Sequence, residues 1–296
     1  MSIIGKRLSK WRKKNEARLR ETKYTILSIV KSPTPLFGLV LVVFMFLVAL
    51  LADVLALYPN ITKPGEFLLP PSMQHLFGTD DLGRDVFARV VHGSRISLYI
   101  GFAVVAISMP IGVLIGLASG YLGGKADELS MRVTDVFLSI PSLVFAILIM
   151  AVLGPSVNNA ILAIAITLWP RYARLTRGTA LSVRETLFVE AARSYSAGGL
   201  RIMFRHILPN TLAPITVQAS FDIGTGILTA ASLGFIGLGV PPPTPEWGAL
   251  ISYARTYLPD YWWYAFFPGM AIVLAVLGFN LLGDGLRDAL DPRLRQ

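Results

Sequence analysis

Long uncharged runs separated by short polar and basic connectors set the pattern of this chain. Leu36 to Ala52 is apolar without interruption and, with Asp53 near its end, the run reaches Tyr58; Ile96 to Tyr121 carries no charge, and neither does Val136 to Pro170. A helix rises about 1.5 Å per residue and a bilayer's hydrocarbon core is about 30 Å thick, so each of the first two runs predicts a spanning helix. The third would be about 52 Å long as one helix, and Gly154-Pro155-Ser156-Val157-Asn158-Asn159 breaks it near the middle, which predicts a helical hairpin. Two more runs follow, one rich in Gly, Ala, Ser and Thr and one after Tyr257, Tyr261, Trp262, Trp263 and Tyr264, which predict an aromatic belt at the outer interface. The expectation is an all-α integral membrane protein with six spans, at about 36–58, 96–121, 136–153, 159–175, 212–238 and 265–283.

Composition agrees. Apolar residues make up 54% of the chain and charged ones 15%, against about 25% charged in soluble proteins. Such a chain cannot cover a soluble core with polar surface. The absence of cysteine excludes disulfides and thiolate metal sites, and three histidines (His75, His92, His206) argue against a histidine-rich metal or catalytic centre. The net charge of +9 is explained by where the basic residues lie rather than by a nucleic-acid partner. Of the 27 Lys and Arg, only Lys63, Arg84, Arg89, Arg95 and Arg255 fall in segments assigned to the outside. The positive-inside rule therefore predicts both termini, and the basic 171–211 segment, in the cytoplasm. Residues 1–35 hold ten Lys and Arg against Glu16 and Glu21. This arm is either a helix lying on anionic lipid headgroups or a solvated arm that fixes topology.

Glu190 to Asn210 is the amphipathic, basic segment between spans. Ser182 and Glu185 have capping-box spacing and predict a helix starting just after Ser182. Phe188, Ala192 and Tyr195 would share a face, Gly198-Gly199 would supply the left-handed stop, and Leu200, Phe204 and Ile207 would share a face of a second short helix before Pro209 opens a new element. Elsewhere, Gly112, Gly116 and Gly120 are spaced by four and predict close approach of another span or subunit. Gln218 and Asp222 lie inside the fifth span. An intramembrane acid is costly, so Asp222 is either part of a translocation path or a hydrogen-bonded structural acid. Other motifs fail on spacing. The Asp and Gly residues of 78–85 do not match a calcium loop, Ser119 to Ala126 lacks the first glycine and the final Ser or Thr of a phosphate loop, and Gly234 to Gly239 is no dinucleotide fingerprint.

Glu190-Ala191-Ala192, Gly198 six residues later and Ile207-Leu208-Pro209 resemble the coupling loop of ABC importer permeases. Gly78-Thr79-Asp80-Asp81 through Gly83-Arg84-Asp85, Pro242-Pro243-Thr244-Pro245-Glu246-Trp247-Gly248 and Gly283-Asp284-Gly285-Leu286-Arg287-Asp288 are similar to stretches of dipeptide and oligopeptide permeases. The chain is identified as resembling the C-type permease subunit of such importers, with the type I (MetI-like) fold. The resemblance implies a cytoplasmic-membrane subunit that is not an enzyme and binds no cofactor or metal. Its partners would be a homologous second permease, two ATPase subunits that bind ATP and magnesium, and an external substrate-binding protein. It assigns ATPase coupling to a loop at about 182–210, through Glu190, Ala191, Ala192, Gly198, Leu208 and Pro209. Relatives of this architecture also carry nickel complexes, glutathione or oligosaccharides. An ion-coupled secondary transporter would need intramembrane ionisable residues, for which Asp222 and Asp53 are the acidic candidates.

Overall fold

In lipid every backbone N–H and C=O must be satisfied within the chain, so uncharged runs fold as helices. The computed structural model describes residues 30, 32–56, 61–63 and 65–290; nearly all of the basic arm, together with Asn60 of an Asn-Ile-Thr sequon, lies outside the described residues. The helices are α1 (Pro33–Leu50), α2 (Ala52–Leu55), α3 (Val86–Leu122), α4 (Gly124–Ser139), α5 (Ser142–Leu153), α6 (Val157–Arg184), α7 (Leu187–Ser194), α8 (Gly199–Arg201), α9 (Leu208–Phe235), α10 (Trp247–Ala254) and α11 (Trp262–Leu290). A π-helical turn over Ile202–Ile207 joins α8 to α9. No strand occurs among the described residues beyond one isolated bridge, Thr79 to Asp85.

The helix ends differ from the expected spans where charges find partners. α3 starts ten residues before Ile96, because Asp85 caps it by accepting the Ala88 N–H at 2.8 Å. Arg95, in its early turns, pairs with Asp53 at 2.9 Å and donates to the Ala49 carbonyl, tying α3 to the end of α1. The expected span 136–153 is not one helix. Pro141 forces Ile140 into an extended conformation (φ −91°, ψ 128°), and α4 and α5 meet there at a bend of 87°. α6 continues nine residues past 175, since Arg177 and Arg184 are neutralised or hydrogen-bonded by neighbouring helix ends. The capping-box expectation fails for the same reason. Ser182 lies inside α6, where its hydroxyl donates to the Gly178 carbonyl, and Glu185 pairs with Arg184. Thr186 occupies the N-cap position of α7 instead.

The glycine stripe packs α3 on α6. A Cβ on Gly112 would lie 2.3 Å from the Trp169 carbonyl oxygen, one on Gly116 2.2 Å from that of Ala173, and one on Gly120 2.8 Å from Ala180 Cβ. The contact is with another span of the same chain. At the opposite end, the 65–85 segment forms a lid. Asp80 is fully buried, accepts the Leu82 and Arg84 N–H groups and pairs with Arg84 at 2.6 Å. Tyr264 donates to Asp81 at 3.0 Å, and Phe77 stacks on Phe267 with centroids 3.8 Å apart. Trp263 and Tyr264, expected in an interfacial belt, are therefore core residues beneath the lid, while Trp262 stays half-exposed. The proline-rich loop ends in Glu246, which caps α10 by accepting the Gly248 and Ala249 N–H groups, both at 2.9 Å. Burial pushes this carboxyl above its ordinary range. Trp247 donates to the Val90 carbonyl, locking α10 to α3.

Among the described residues three helices, α1, α3 and α11, are long and apolar enough to cross a membrane, with mean hydropathies of 2.4, 2.4 and 2.1; the bent α4–α5 pair makes a fourth if it counts as one span. α6 and α9 have 28 residues each, about 42 Å. Their length suffices, but Arg171 and Arg174 in one, and Gln218, Asp222 and small polar residues in the other, interrupt their apolarity.

Candidate functional site

The loop between α6 and α9 is held by an apolar anchor on its inner side. Val189 of α7 and Ile202, Met203 and Ile207 of the π turn are buried against Leu117 of α3 and Ala180 of α6. The turn's wider winding explains which residues point inward. Ile202 and Ile207, five apart, share the buried face, so Ile207 leaves the face expected for it with Leu200 and Phe204. The chain end of α3 is a second support. Arg184 donates to the Gly120 and Tyr121 carbonyls, and the Arg193 guanidinium lies 5.8 Å over the Tyr121 ring.

The outer side is unusual for a polar connector. Tyr195 is 88% exposed, Leu187 83% and Leu200 73%, with Phe188 and Phe204 about half-exposed. These five exposed apolar residues share the segment with Arg193, Arg201 and Arg205, which are exposed as well. The residues singled out in the sequence divide across it. Glu190 and Ala191 are exposed on α7, Ala192 is half-buried, Leu208 is half-buried, and Pro209 is exposed in the first turn of α9. Glu190 sits where the helix dipole favours an acid, and its carboxylate forms no ion pair among the described residues. Gly198 does not supply the left-handed stop. Its φ is −61°, and the left-handed residue is Ser196 at 53°. A Cβ on Gly198 would meet nothing within 4 Å.

A second cluster lies deeper, between α6 and α9. Asp222 is buried, accepts from Gln218 at 3.1 Å and faces Arg171 Nη1 at 3.5 Å. The buried Tyr172 hydroxyl lies beside the same carboxylate. Gln218 and Asp222, one turn apart on α9, thus meet, and Arg171 of α6 is the charged partner of Asp222. On α4, Asp127 accepts from Arg177 at 2.5 and 2.7 Å and from Ser119. These hydrogen bonds, foremost that of Arg177, hold its carboxyl down at about 2.

The model of the binding-protein-dependent transport system inner membrane component family matches residues 112–296. The chain belongs to that family. Among its relatives, the probable D,D-dipeptide transport system permease protein DdpC of Escherichia coli is 51% identical over 88% of each chain. The dipeptide transport system permease protein DppC of Alkalihalophilus pseudofirmus is 45% identical over 93% of each. The fold is that of a chain of the MetNI methionine ABC transporter in inward-facing conformations, with a TM-score of 0.55 at 21% identity, covering 69% of this chain and 97% of that one. As a member of this family the chain is an inner-membrane permease component of a transport system, built on the MetI-like helical fold.

Proposed function

We propose that the chain is the C-type permease subunit of an ATP-driven dipeptide or oligopeptide importer, crossing the cytoplasmic membrane six times with both termini inside. Residues 36–296 form the permease domain, preceded by the basic arm at 1–35. Together with a homologous permease it encloses the pore; two ATPases, which carry ATP and magnesium, dock on the 182–210 loop, and an external binding protein delivers cargo. This chain itself contributes no catalytic group.

The observation that carries the reading is the two-sided loop. Val189, Ile202 and Ile207 bind it to the ends of α3 and α6, while Leu187, Phe188, Tyr195, Leu200 and Phe204 remain uncovered. Exposed apolar residues mark a protein or membrane contact, and the resemblance of this segment to the coupling loop of importer permeases makes an ATPase the partner here. The peptide cargo is supported by the names of the relatives. ATP-driven closure of the docked ATPases would push on the loop, and its apolar anchor would pass that motion to α3 and α6.

The test is co-purification and transport with a tagged chain. Val is sterically free at Gly198, where the backbone is extended and nothing stands within 4 Å. Gly198→Val should therefore fold and keep the second permease, yet lose the ATPases or uncouple uptake from ATP hydrolysis, because its side chain projects into the docked partner. Normal coupled uptake by the variant would refute this role.

A further inference from the structure

The arginines differ in how fully their charge is used. Arg84 pairs with buried Asp80 at 2.6 Å, Arg95 binds both oxygens of Asp53 at 2.9 Å, Arg177 binds both oxygens of Asp127, and Arg174 pairs with Asp135. Arg171 has one contact of this kind, Nη1 to Asp222 Oδ1 at 3.5 Å, and its side chain is 42% exposed. A guanidinium carries five N–H donors in a planar fork. Asp222 is 1% exposed behind it and shares Oδ1 with Gln218, so the free side of the fork faces outward.

Arg171 lines a cavity of about 360 Å³ together with Leu138, Arg174, Leu175 and Gln218. Arg171 stands fourteen residues into α6, about 21 Å from its start. In the six-span reading Arg171 lies near the inner end of the fourth span, about 159–175, where an arginine faces a partner or a water-filled path rather than lipid. The cavity size suits a small ligand, and an arginine fork is the side chain best matched to a carboxylate. Asp222 keeps the guanidinium in place but holds it loosely, and a transported cargo must be released as well as bound.

We propose that Arg171 is a station on the translocation path that takes the C-terminal carboxylate of the peptide cargo, with Asp222 as its positioning and competing partner. This rests on the reading of the chain as a peptide importer permease. In passage, the cargo carboxylate displaces Asp222 from the fork and Asp222 then reclaims it.

The experiment uses the purified complex of permeases and ATPases, nucleotide-free and without the binding protein, so that cargo selection outside does not contribute. Binding of radiolabelled dialanine is measured by scintillation proximity, with dialanine and its C-terminal amide as competitors. Wild type should bind dialanine saturably and the amide at least about tenfold more weakly, equivalent to ~1.4 kcal/mol. Arg171→Gln should lose that preference and Arg171→Lys should retain part of it. Asp222→Asn, by removing the competing carboxylate, should tighten dialanine severalfold. The opposite signs distinguish a cargo station from a structural ion pair, which either change would merely weaken. Equal affinity for acid and amide in wild type, or an unchanged preference in Arg171→Gln, overturns the proposal, as does weakening of both ligands by both variants. ATP-driven dialanine uptake in proteoliposomes with the binding protein is measured in parallel. Uptake without the predicted binding pattern refutes Arg171 alone, whereas no uptake by wild type refutes the importer reading and the station with it.

Discussion

Replacing Gly116 by alanine sets two helix effects against each other. Alanine favours a helix over glycine by roughly 1 kcal/mol, so an isolated α3 would gain. In the structure, however, the added Cβ would lie 2.2 Å from the Ala173 carbonyl oxygen, 2.9 Å from the Arg177 nitrogen and 2.9 Å from Thr176 Cβ. Ordinary carbon contacts sit at about 3.5–4.0 Å, so α3 and α6 must part by about 1 Å or more at that level. The first two obstacles are backbone atoms and cannot swing aside. Forcing an extra carbon into a packed interface costs about 1–3 kcal/mol, and here the separation also disturbs the neighbouring contacts at Gly112 and Gly120. Gly178 is the matched control. It lies in α6 with nothing within 4 Å of its would-be Cβ, so Gly178→Ala should be neutral or stabilising by about 0.5–1 kcal/mol. Thermal unfolding of the purified chain in one detergent, followed by far-UV circular dichroism, reads both. Gly116→Ala should lower the midpoint by several degrees and Gly178→Ala should hold or raise it. If both variants melt together with wild type, α3 and α6 do not approach as closely as described.

The lid over the outer ends depends on Asp80, whose removal leaves Arg84 buried without its counter-charge. Asp80→Ala should destabilise by about 3–5 kcal/mol, read as lost expression or a lowered unfolding midpoint, while Asp81→Ala should do far less. On α4, Arg177 lowers the Asp127 carboxyl from 3.8 to about 2. A carboxyl depressed in the fold contributes stability at neutral pH that is lost as pH falls through the window from about 4 to about 2. Asp127→Asn should therefore flatten the acid limb of an unfolding-versus-pH curve, and an unchanged limb would show that the Asp127–Arg177 pair contributes nothing there.

The apolar runs were legible because lipid leaves the backbone only one way to satisfy itself, and each expected span overlaps at least one helix of the structure. Their ends were not legible, because they depend on charges meeting across the fold. Arg95 extends α3 by pairing with Asp53, and Arg177 and Arg184 extend α6 by finding Asp127 and the carbonyls at the end of α3. The Ser182–Glu185 signal was locally sound and lost to that tertiary pairing. The bend at Pro141 was written in the sequence, yet the lack of charge on both sides masked it. In the loop, the glycines drew attention while the conformational work is done by Ser196 and by the π turn, which no spacing rule announces. Asp222 and Gln218 were visible as polar residues in an apolar run. Arg171, on a different helix, could be matched to them only once α6 and α9 were seen side by side.

The central claim is that the outer face of the α6–α9 loop is covered by an ATPase. Because the chain has no cysteine, Tyr195→Cys gives a single labelling site at the most exposed position of that face. The measurement is photo-crosslinking in native membranes with a benzophenone maleimide on this cysteine, followed by mass spectrometry of the adducts. The account predicts a dominant adduct with an ATP-binding subunit, from within the cytoplasmic side, that weakens when Gly198→Val is added. Labelling only from outside the cell, or adducts confined to lipid and the permease itself, would contradict it.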